Sequence, residues 1–542
     1  MAGTINGLST MGIDTTSRWQ KKFFEWSCFL LLVLVYLSHL GYTPIDTETD
    51  EARRAIVTLE MVLSGDYISP TINGALYLNK PPFYNWIVAA FFKLAGSHSM
   101  FVFRLPVIVA VIITGFIVYK FVKKYTNQAF AFLAAFTFMT NGRILIYDSL
   151  QGLIDETFTI GVYLSFMLIY YYGEQKKYYH LFITTYILTA IGFLMKGLPA
   201  FIFQGITLLV YFIFFDKFKK LFHLAHFIGG FICLAILGAY YYVYFKHTQM
   251  EPGVLFSNLL TESTKRTVAG KGWMATITHF IFFPAELLYH FLPWTIFVVA
   301  LLNKKVLQYI KENPFIKYNA LILLFNILVY WTSPEVMARY LFMFVPLIFT
   351  VMYYVLFREN ENGWQQRTLL VTVLVVCAIM LAFSVVSIFL PVCNRVPNAF
   401  LKSISLVIAF ALILWGMIRY KQSRYYLFIM AVLVFRMTFN WFIVAQRADK
   451  YFHAEADGKQ VAAITAGQPL YILQHAQVGN FDGMTFHISN RRNEILRFKP
   501  LQPGNAYFIA DKKQLDSIPA HNTYFSFTNY LSDSLFVVQL KQ

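Results

Sequence analysis

The residues best suited to chemistry lie just after the first long apolar segment of the chain. Four carboxylates fall within six residues there: Asp46, Glu48, Asp50 and Glu51. Apolar residues then recur at helical spacing, which predicts an amphipathic helix on a membrane surface. At the start of that helix Asp50 would be ionised, because the helix dipole favours a negative charge there, and it could activate a hydroxyl as a base. A solvated cap of the helix has the same spacing, so both interpretations stay open.

A cation in a fixed position follows on the same stretch. Lys80 precedes Pro81 and Pro82, and two prolines fix the backbone and hold the ammonium in one place. A fixed cation close to Arg53 and Arg54 suits a phosphate group. A lysine beside the membrane that meets lipid head groups accounts for the same residues.

These residues belong to a chain whose composition indicates a membrane protein. Of its 542 residues, 58% are hydrophobic and 18% aromatic, but only 13% are charged. Soluble domains carry roughly a quarter charged residues. Apolar stretches approaching twenty residues recur, and each could cross about 30 Å of hydrocarbon as a helix. The net charge of +17 sits in short clusters between apolar segments rather than along one face, which argues against nucleic acid as a partner.

Apolar segments and basic clusters together predict an all-α polytopic membrane core of about thirteen spanning helices. Basic clusters lie on alternate sides of these segments, while the other loops hold isolated cations. The pattern predicts a cytoplasmic tail at 1–22, a membrane core at 23–446 and two long external loops at 41–100 and 246–280. It also predicts a soluble external domain at 447–542, where short apolar runs between Gly, Asn, Asp and Pro indicate a small α/β or α+β fold.

Short motifs follow one another in a particular order along the chain. They are Asp50-Glu51-x-Arg53, Ser64-Gly65-Asp66-Tyr67, Asn73-Gly74, Tyr77-x-x-Lys80-Pro81-Pro82, Arg104-Leu105-Pro106, Asp155, Lys196-Gly197-x-Pro199, Pro293-Trp294 and Arg339-Tyr340. In this order they resemble the aminoarabinose transferases that modify lipid A. More broadly they resemble the GT-C superfamily of glycosyltransferases, which includes the protein O-mannosyltransferases.

This resemblance implies an inverting sugar transfer from a polyprenyl-phosphate carrier, with catalytic carboxylates and phosphate-binding cations. Asp50 takes the position of the catalytic carboxylate, and Asp155 is a second candidate. The implied donor-binding residues are Arg53, Tyr77, Lys80, Lys196, Arg339 and Tyr340. Two of these positions have other interpretations: Asp155 could cap a helix, and Lys196 could be an interfacial anchor.

One departure concerns a metal site. The aminoarabinose transferases hold a metal with a glutamate directly before the motif lysine and a histidine in the second long external loop. This chain has Asn79 at the first position and no histidine in residues 262–273. We therefore predict that the chain uses no metal or other cofactor here, and that Arg266 or Lys271 supplies positive charge instead.

The function expected from the sequence is transfer of a sugar from the carrier to lipid A or another cell-envelope acceptor. It would take place on the outer side of a bacterial cytoplasmic membrane, with membrane lipids as neighbours. Transfer to protein, in the manner of the O-mannosyltransferases, or assembly of an envelope polysaccharide is the nearest enzymatic alternative. A lipid-linked sugar transporter or flippase is an alternative from another class, but no internal repeat of the kind common in transporters is visible.

Overall fold

The computed structural model describes residues 18–41, 50–358, 364–444, 446, 454–528 and 533–541. The α-helices of its membrane core are α1 (Arg18–Leu37), α2 (Asp50–Ser64), α3 (Phe83–Ala95), α4 (Met100–Tyr125), α5 (Gln128–Met139), α6 (Gly142–Ile146), α7 (Asp155–Glu174), α8 (Tyr178–Lys196), α9 (Pro199–Phe214), α10 (Leu224–Thr248), α11 (Pro252–Thr264), α12 (Val268–Lys271), α13 (Trp273–His290), α14 (Val306–Glu312), α15 (Pro314–Trp331), α16 (Val345–Arg358), α17 (Trp364–Val386), α18 (Ala399–Arg419) and α19 (Arg424–Phe439).

Many of these helices are suited to a bilayer. Among the described residues, seven are long and apolar enough to cross a membrane, and the pair Gln128–Met139 and Gly142–Leu150, bent by 48°, would make an eighth. Their outward faces remain apolar, as at Phe231 and Ile379, because hydrocarbon rather than water surrounds them. The chain is therefore a polytopic membrane protein with a helical core, as the sequence predicts.

The predicted spans agree with the helices in position, although the exact count of thirteen is not confirmed. The sequence predicts spans centred near residues 32, 110, 135, 163, 187, 206, 234, 291, 324, 348, 379, 409 and 435. Twelve of these centres lie inside a helix. The other centre, near residue 291, falls just beyond the end of α13, where the chain passes into the 3₁₀ segment Trp294–Leu302. Pro293 lacks a backbone N–H and so cannot donate the next hydrogen bond of the α13 ladder, which is consistent with the break at this point.

The segment predicted to be the first external loop contains helices and a small hairpin. Helix α2 begins at Asp50 and ends before Gly65, whose φ of 74° is the left-handed conformation that glycine adopts readily. Strands β1 (Thr71–Ile72) and β2 (Ala75–Leu76) pair antiparallel around the Asn73-Gly74 turn. The sequence predicts a helix that starts at Thr49 or Asp50 and stops at Gly65, and these limits are confirmed. Asp46 and Glu48 lie outside the described residues.

The C-terminal part of the chain folds around its own hydrophobic core. Its strands are β3 (Leu470–Leu473), β4 (Phe498–Lys499), β5 (Tyr507–Asp511), β6 (His521–Thr528) and β7 (Ser534–Leu540), and its helices are α20 (Ala454–Ile464), α21 (Asp482–Arg492) and α22 (Lys512–Leu515). The sheet order is β4-β3-β5-β7-β6, with β3 parallel to both its neighbours and β7 antiparallel to both of its own. This mixed sheet with helices confirms the predicted small α/β or α+β domain.

Candidate active site

A buried ion pair fixes the helix that carries Asp50. Arg104 of α4 donates to both carboxylate oxygens of Glu51, at 2.8 and 3.1 Å, and both side chains are almost fully buried. The same carboxylate accepts the backbone N–H of Gly152 at 2.7 Å, in the segment that leads into α7. A paired charge in a buried site is costly to disrupt, so α2 and the start of α7 are held together rigidly.

Two candidate carboxylates form ion pairs with the same guanidinium group. Arg339, in the 3₁₀ turn Ala338–Leu341, lies 3.1 Å from Asp50 and 3.2 Å from Asp155. Asp155 is also paired with Lys196 at the end of α8. The side chain of Asp50 remains 42% exposed, whereas that of Asp155 is 7% exposed. Asp50 is therefore the carboxylate that a substrate could reach, and Asp155 is enclosed between two cations.

Further cations contact Tyr340, which lies beside Asp50 and Asp155. The ammonium of Lys196 lies 3.9 Å from the centre of its ring, and Arg266 donates a hydrogen bond to its hydroxyl. Such contacts combine cation–π attraction with a charge-assisted hydrogen bond. Cations from three distant parts of the chain thus lie around one aromatic ring.

Lys80 lies close to the same group. Burial, together with repulsion by Lys196 and Arg54, lowers the pKa of Lys80 to about 8, although Asp50 and Glu262 act in the opposite direction. No ion pair of Lys80 occurs within the residues that the structure describes.

The hairpin before Lys80 is anchored by Glu60. This buried carboxylate of α2 accepts hydrogen bonds from the Thr71 hydroxyl at 2.6 Å and from the backbone N–H groups of Asn73 at 2.6 Å and Gly74 at 3.2 Å. Further along, the hydroxyl of Tyr77 accepts from Arg54. Both contacts tie the segment that leads to Lys80 back to the helix that carries Asp50.

Asp50 itself is held in the ionised form. Burial alone would raise its pKa, but the neighbouring charges of Arg54, Arg339, Lys80 and Arg53 outweigh it and hold the pKa below its usual value. The predicted dipole effect at the helix start acts in the same direction.

Some predicted residues lie elsewhere than the sequence suggested. Arg53 donates to Asp482 of the C-terminal domain at 3.3 Å and has no ion pair with Asp50. Lys271 is paired with Glu335 at 2.6 Å, and Arg266 lies 3.8 Å from the same carboxylate. Glu60, Asp482 and Glu335 were not singled out from the sequence. The partners of Asp482 and Glu335 lie far away along the chain, and those of Glu60 lie 11 to 14 positions on, beyond a turn that breaks the helical spacing.

Additional carboxylates lie behind Asp155. Asp148 is fully buried and paired with Arg143 at 2.8 Å. Glu156 is also buried, and neither of its carboxylate oxygens has a hydrogen-bond partner within the described part of the chain.

The residues around Lys80 do not fit the metal site of the aminoarabinose transferases. Within the described ranges, no group of three or more His, Cys, Asp or Glu side chains could hold a metal ion. Asn79 stands where those enzymes have a glutamate. The nearby His247 instead contacts Ser69 at 2.7 Å and Asp66 at 3.7 Å. The prediction that this chain uses no metal here remains a prediction.

Parts of the chain are similar in sequence to known proteins. Residues 79–243 match the family model described as dolichyl-phosphate-mannose-protein mannosyltransferase. The undecaprenyl phosphate-alpha-4-amino-4-deoxy-L-arabinose arabinosyl transferase 1 of Proteus mirabilis (strain HI4320) is 28% identical over 218 residues, which are 39% of this chain and 38% of that protein. An uncharacterized protein of Aquifex aeolicus (strain VF5) is 25% identical over 219 residues, 40% of this chain and 43% of that protein. The chain thus spans about two fifths of the length of the curated relatives it matches.

The likeness in three dimensions extends over almost the whole chain. The crystal structure of ArnT from Cupriavidus metallidurans, bound to undecaprenyl phosphate, superposes with a TM-score of 0.66 at 18% identity and covers 94% of this chain and 97% of that one. In fold, the chain is therefore a polytopic membrane protein of the ArnT type. It resembles the GT-C glycosyltransferases, and among them the aminoarabinose transferases.

Proposed function

We propose that this protein is an inverting glycosyltransferase that moves a sugar from a polyprenyl-phosphate carrier to a cell-envelope acceptor. The observation that carries the proposal is the meeting of an accessible ionised carboxylate, Asp50, with a group of cations around Tyr340. A carboxylate can take the proton of an attacking hydroxyl, and cations can stabilise the phosphate that leaves.

In the proposed reaction an acceptor hydroxyl loses its proton to Asp50 as its oxygen attacks the anomeric carbon of the sugar. A new C–O bond forms on one face while the bond from that carbon to the phosphate oxygen breaks on the other. The polyprenyl phosphate leaves with the bonding electron pair. Lys80 and Arg266 stabilise its charge, and Arg339 holds the carboxylate of Asp50 in place at 3.1 Å.

The remaining site residues support these groups. Lys196 contributes positive charge beneath Tyr340 while Asp155 holds it in place. Tyr77 lines the approach to Lys80, and Lys271 adds charge at the rim of the second external loop. Arg53 is assigned to positioning rather than to the phosphate, because its guanidinium is engaged by Asp482.

The nature of the donor is supported by the relatives. The Proteus mirabilis protein is named for an undecaprenyl-phosphate-linked sugar, and the ArnT structure contains undecaprenyl phosphate. We infer the same class of carrier here, while the sugar stays open because the residues at the metal position differ. Lipid A or another envelope glycolipid is the proposed acceptor, on the outer face of a bacterial cytoplasmic membrane.

Transfer to protein is the second candidate function. The family model that matches residues 79–243 is named for a mannosyltransferase that acts on protein. The external domain at 454–541 adjoins the site and would be suited to contacting a protein chain. A transporter is less well supported, because the proposed site residues concentrate in and around one long loop and the sequence shows no internal repeat.

The test of function is a comparison of envelopes from a deletion strain and wild type. Mass spectrometry of purified lipid A should show the loss of one sugar mass, restored by the intact gene. Unchanged lipid A with altered glycoproteins would support the second candidate instead. Unchanged lipid A, glycoproteins and surface polysaccharides together would contradict both.

A further inference from the structure

The C-terminal domain contacts the helix that carries the proposed catalytic carboxylate. Helix α21 lies against α2, and Asp482, its first residue, is 2% exposed where it accepts a hydrogen bond from Arg53. A second contact joins the domain to the core, from His98 to Asn490 at 3.1 Å. Phe486 of the same helix is buried in the hydrophobic core of the membrane part.

The position of Arg53 gives this contact a consequence for Asp50. Residues three apart on a helix lie on one face and can form an ion pair, so Arg53 is a natural partner for the carboxylate of Asp50. Such a pair would cover the oxygen that must accept a proton. In the structure the guanidinium of Arg53 points to Asp482 instead, and Asp50 contacts Arg339 while 42% of its side chain stays exposed.

Without such a role, a carboxylate at position 482 would only lower the stability of the fold. A buried carboxylate loses its hydration, and within the described residues Arg53 is its ion-pair partner. A neutral side chain would pack in that place without this cost. The presence of a charged side chain at this buried position is accounted for if the charge serves to hold Arg53.

We propose that Asp482 is a positioning residue for sugar transfer: it holds Arg53 away from Asp50 and fixes the orientation of α2. This rests on the proposed function and adds a role for the external domain. The domain thereby takes part in the active site without touching substrate.

The variants are Asp482→Asn, which keeps the shape but removes the charge, and Asp482→Ala, which removes the contact. Each would be expressed as the full chain in the deletion strain, with membrane amounts matched by immunoblot. We expect Asp482→Asn to lower the rate of sugar addition about tenfold and Asp482→Ala to lower it further. Asp482→Glu should restore most of the rate.

A measurement of donor affinity distinguishes a positioning role from a general loss of structure. The dissociation constant for undecaprenyl phosphate, measured with the purified protein in detergent, should stay within about twofold of wild type. Asn490→Ala is the matched control, because it removes a different hydrogen bond between the same helix and the core without touching Arg53, and it should transfer sugar normally.

Three results would overturn the positioning role: a normal rate with both Asp482→Asn and Asp482→Ala, an equal loss with Asn490→Ala, or weakened donor binding that accounts for the slower rate. If the wild-type protein adds no sugar at all, the proposed function fails instead. The two failures are thus distinguishable.

Discussion

At the scale of single residues, the ionisation of Asp50 depends on charges that come from several elements. Arg54 lies on its own helix, Arg339 on a distant turn and Lys80 after the hairpin. Burial acts against ionisation, so a carboxylate here would be protonated more easily without these cations. The ability of Asp50 to act as the proposed base therefore depends on the whole cluster of charges.

Replacing Asp50 by asparagine should abolish the proposed proton transfer. General-base catalysis contributes about 10²- to 10⁴-fold, so we expect sugar addition to fall by at least about 100-fold. Binding of undecaprenyl phosphate should persist or strengthen, because a negative charge is removed beside the phosphate site. A rate near that of wild type, at matched membrane levels, would exclude Asp50 as the base.

Lys80 should make donor binding depend on pH. Its pKa is lowered from 10.5 to about 8, so its ammonium is charged below that pH and becomes neutral above it. Affinity for undecaprenyl phosphate should therefore decrease as the pH rises through about 8.

The control for this titration is Lys80→Arg, whose guanidinium stays charged over the same range. Its affinity should be nearly constant between about pH 7 and 9. A wild-type affinity that is equally constant there would show that Lys80 does not contact the phosphate.

At the scale of elements, α2 is held at successive positions by different partners. Glu51 binds Arg104, Arg53 binds Asp482, Arg54 binds Tyr77, and Glu60 binds the β1–β2 hairpin. Because these residues face different directions around the helix, the contacts together prevent both rotation and sliding. Such rigidity suits a helix whose first residue is the proposed catalytic base.

Replacing Glu60 by glutamine should loosen the hairpin. All three of its partners are donors, so an amide nitrogen in place of one oxygen would leave at least one of them without an acceptor. An unmet buried donor costs about 1–3 kcal/mol, and the midpoint of thermal unfolding should decrease.

Thr71→Val is the matched variant for Glu60→Gln, since it removes one partner and leaves the two backbone donors satisfied. It should destabilise the protein less. Equal unfolding temperatures for wild type and Glu60→Gln would mean that Glu60 does not anchor the hairpin.

At the scale of the whole molecule, the alternation of basic loops predicts which side of the membrane each part faces. The C-terminal domain is expected outside, together with the first external loop, and its contact with α2 through Asp482 is consistent with that arrangement.

Labelling with a membrane-impermeant maleimide tests this topology. Lys513→Cys, exposed on the C-terminal domain, should react in intact spheroplasts, whereas Lys304→Cys, exposed between the 3₁₀ segment and α14, should react only after permeabilisation. The four native cysteines are free but buried and provide a low background. The reverse labelling pattern would show that the protein has the opposite orientation in the membrane.

Much of this protein could be predicted from its sequence because the relevant signals are local. Apolar segments long enough to cross a bilayer are visible in the chain itself, and so are the start of α2 at Asp50 and its end before Gly65. The composition of the last hundred residues likewise indicated a small mixed domain. Each inference rests on neighbouring residues, whose spacing is fixed by the geometry of a helix, turn or strand.

Only the tertiary structure decided which charges pair with one another. Arg53 and Asp482 are 429 positions apart, and Arg339 and Asp50 are 289 apart, so no local pattern connects them. The motif Asp50-Glu51-x-Arg53 reads the same whether its arginine binds a phosphate or a remote carboxylate. Ion pairs depend on distances of a few ångströms and on burial, and both are set only when the packed helices bring distant segments together.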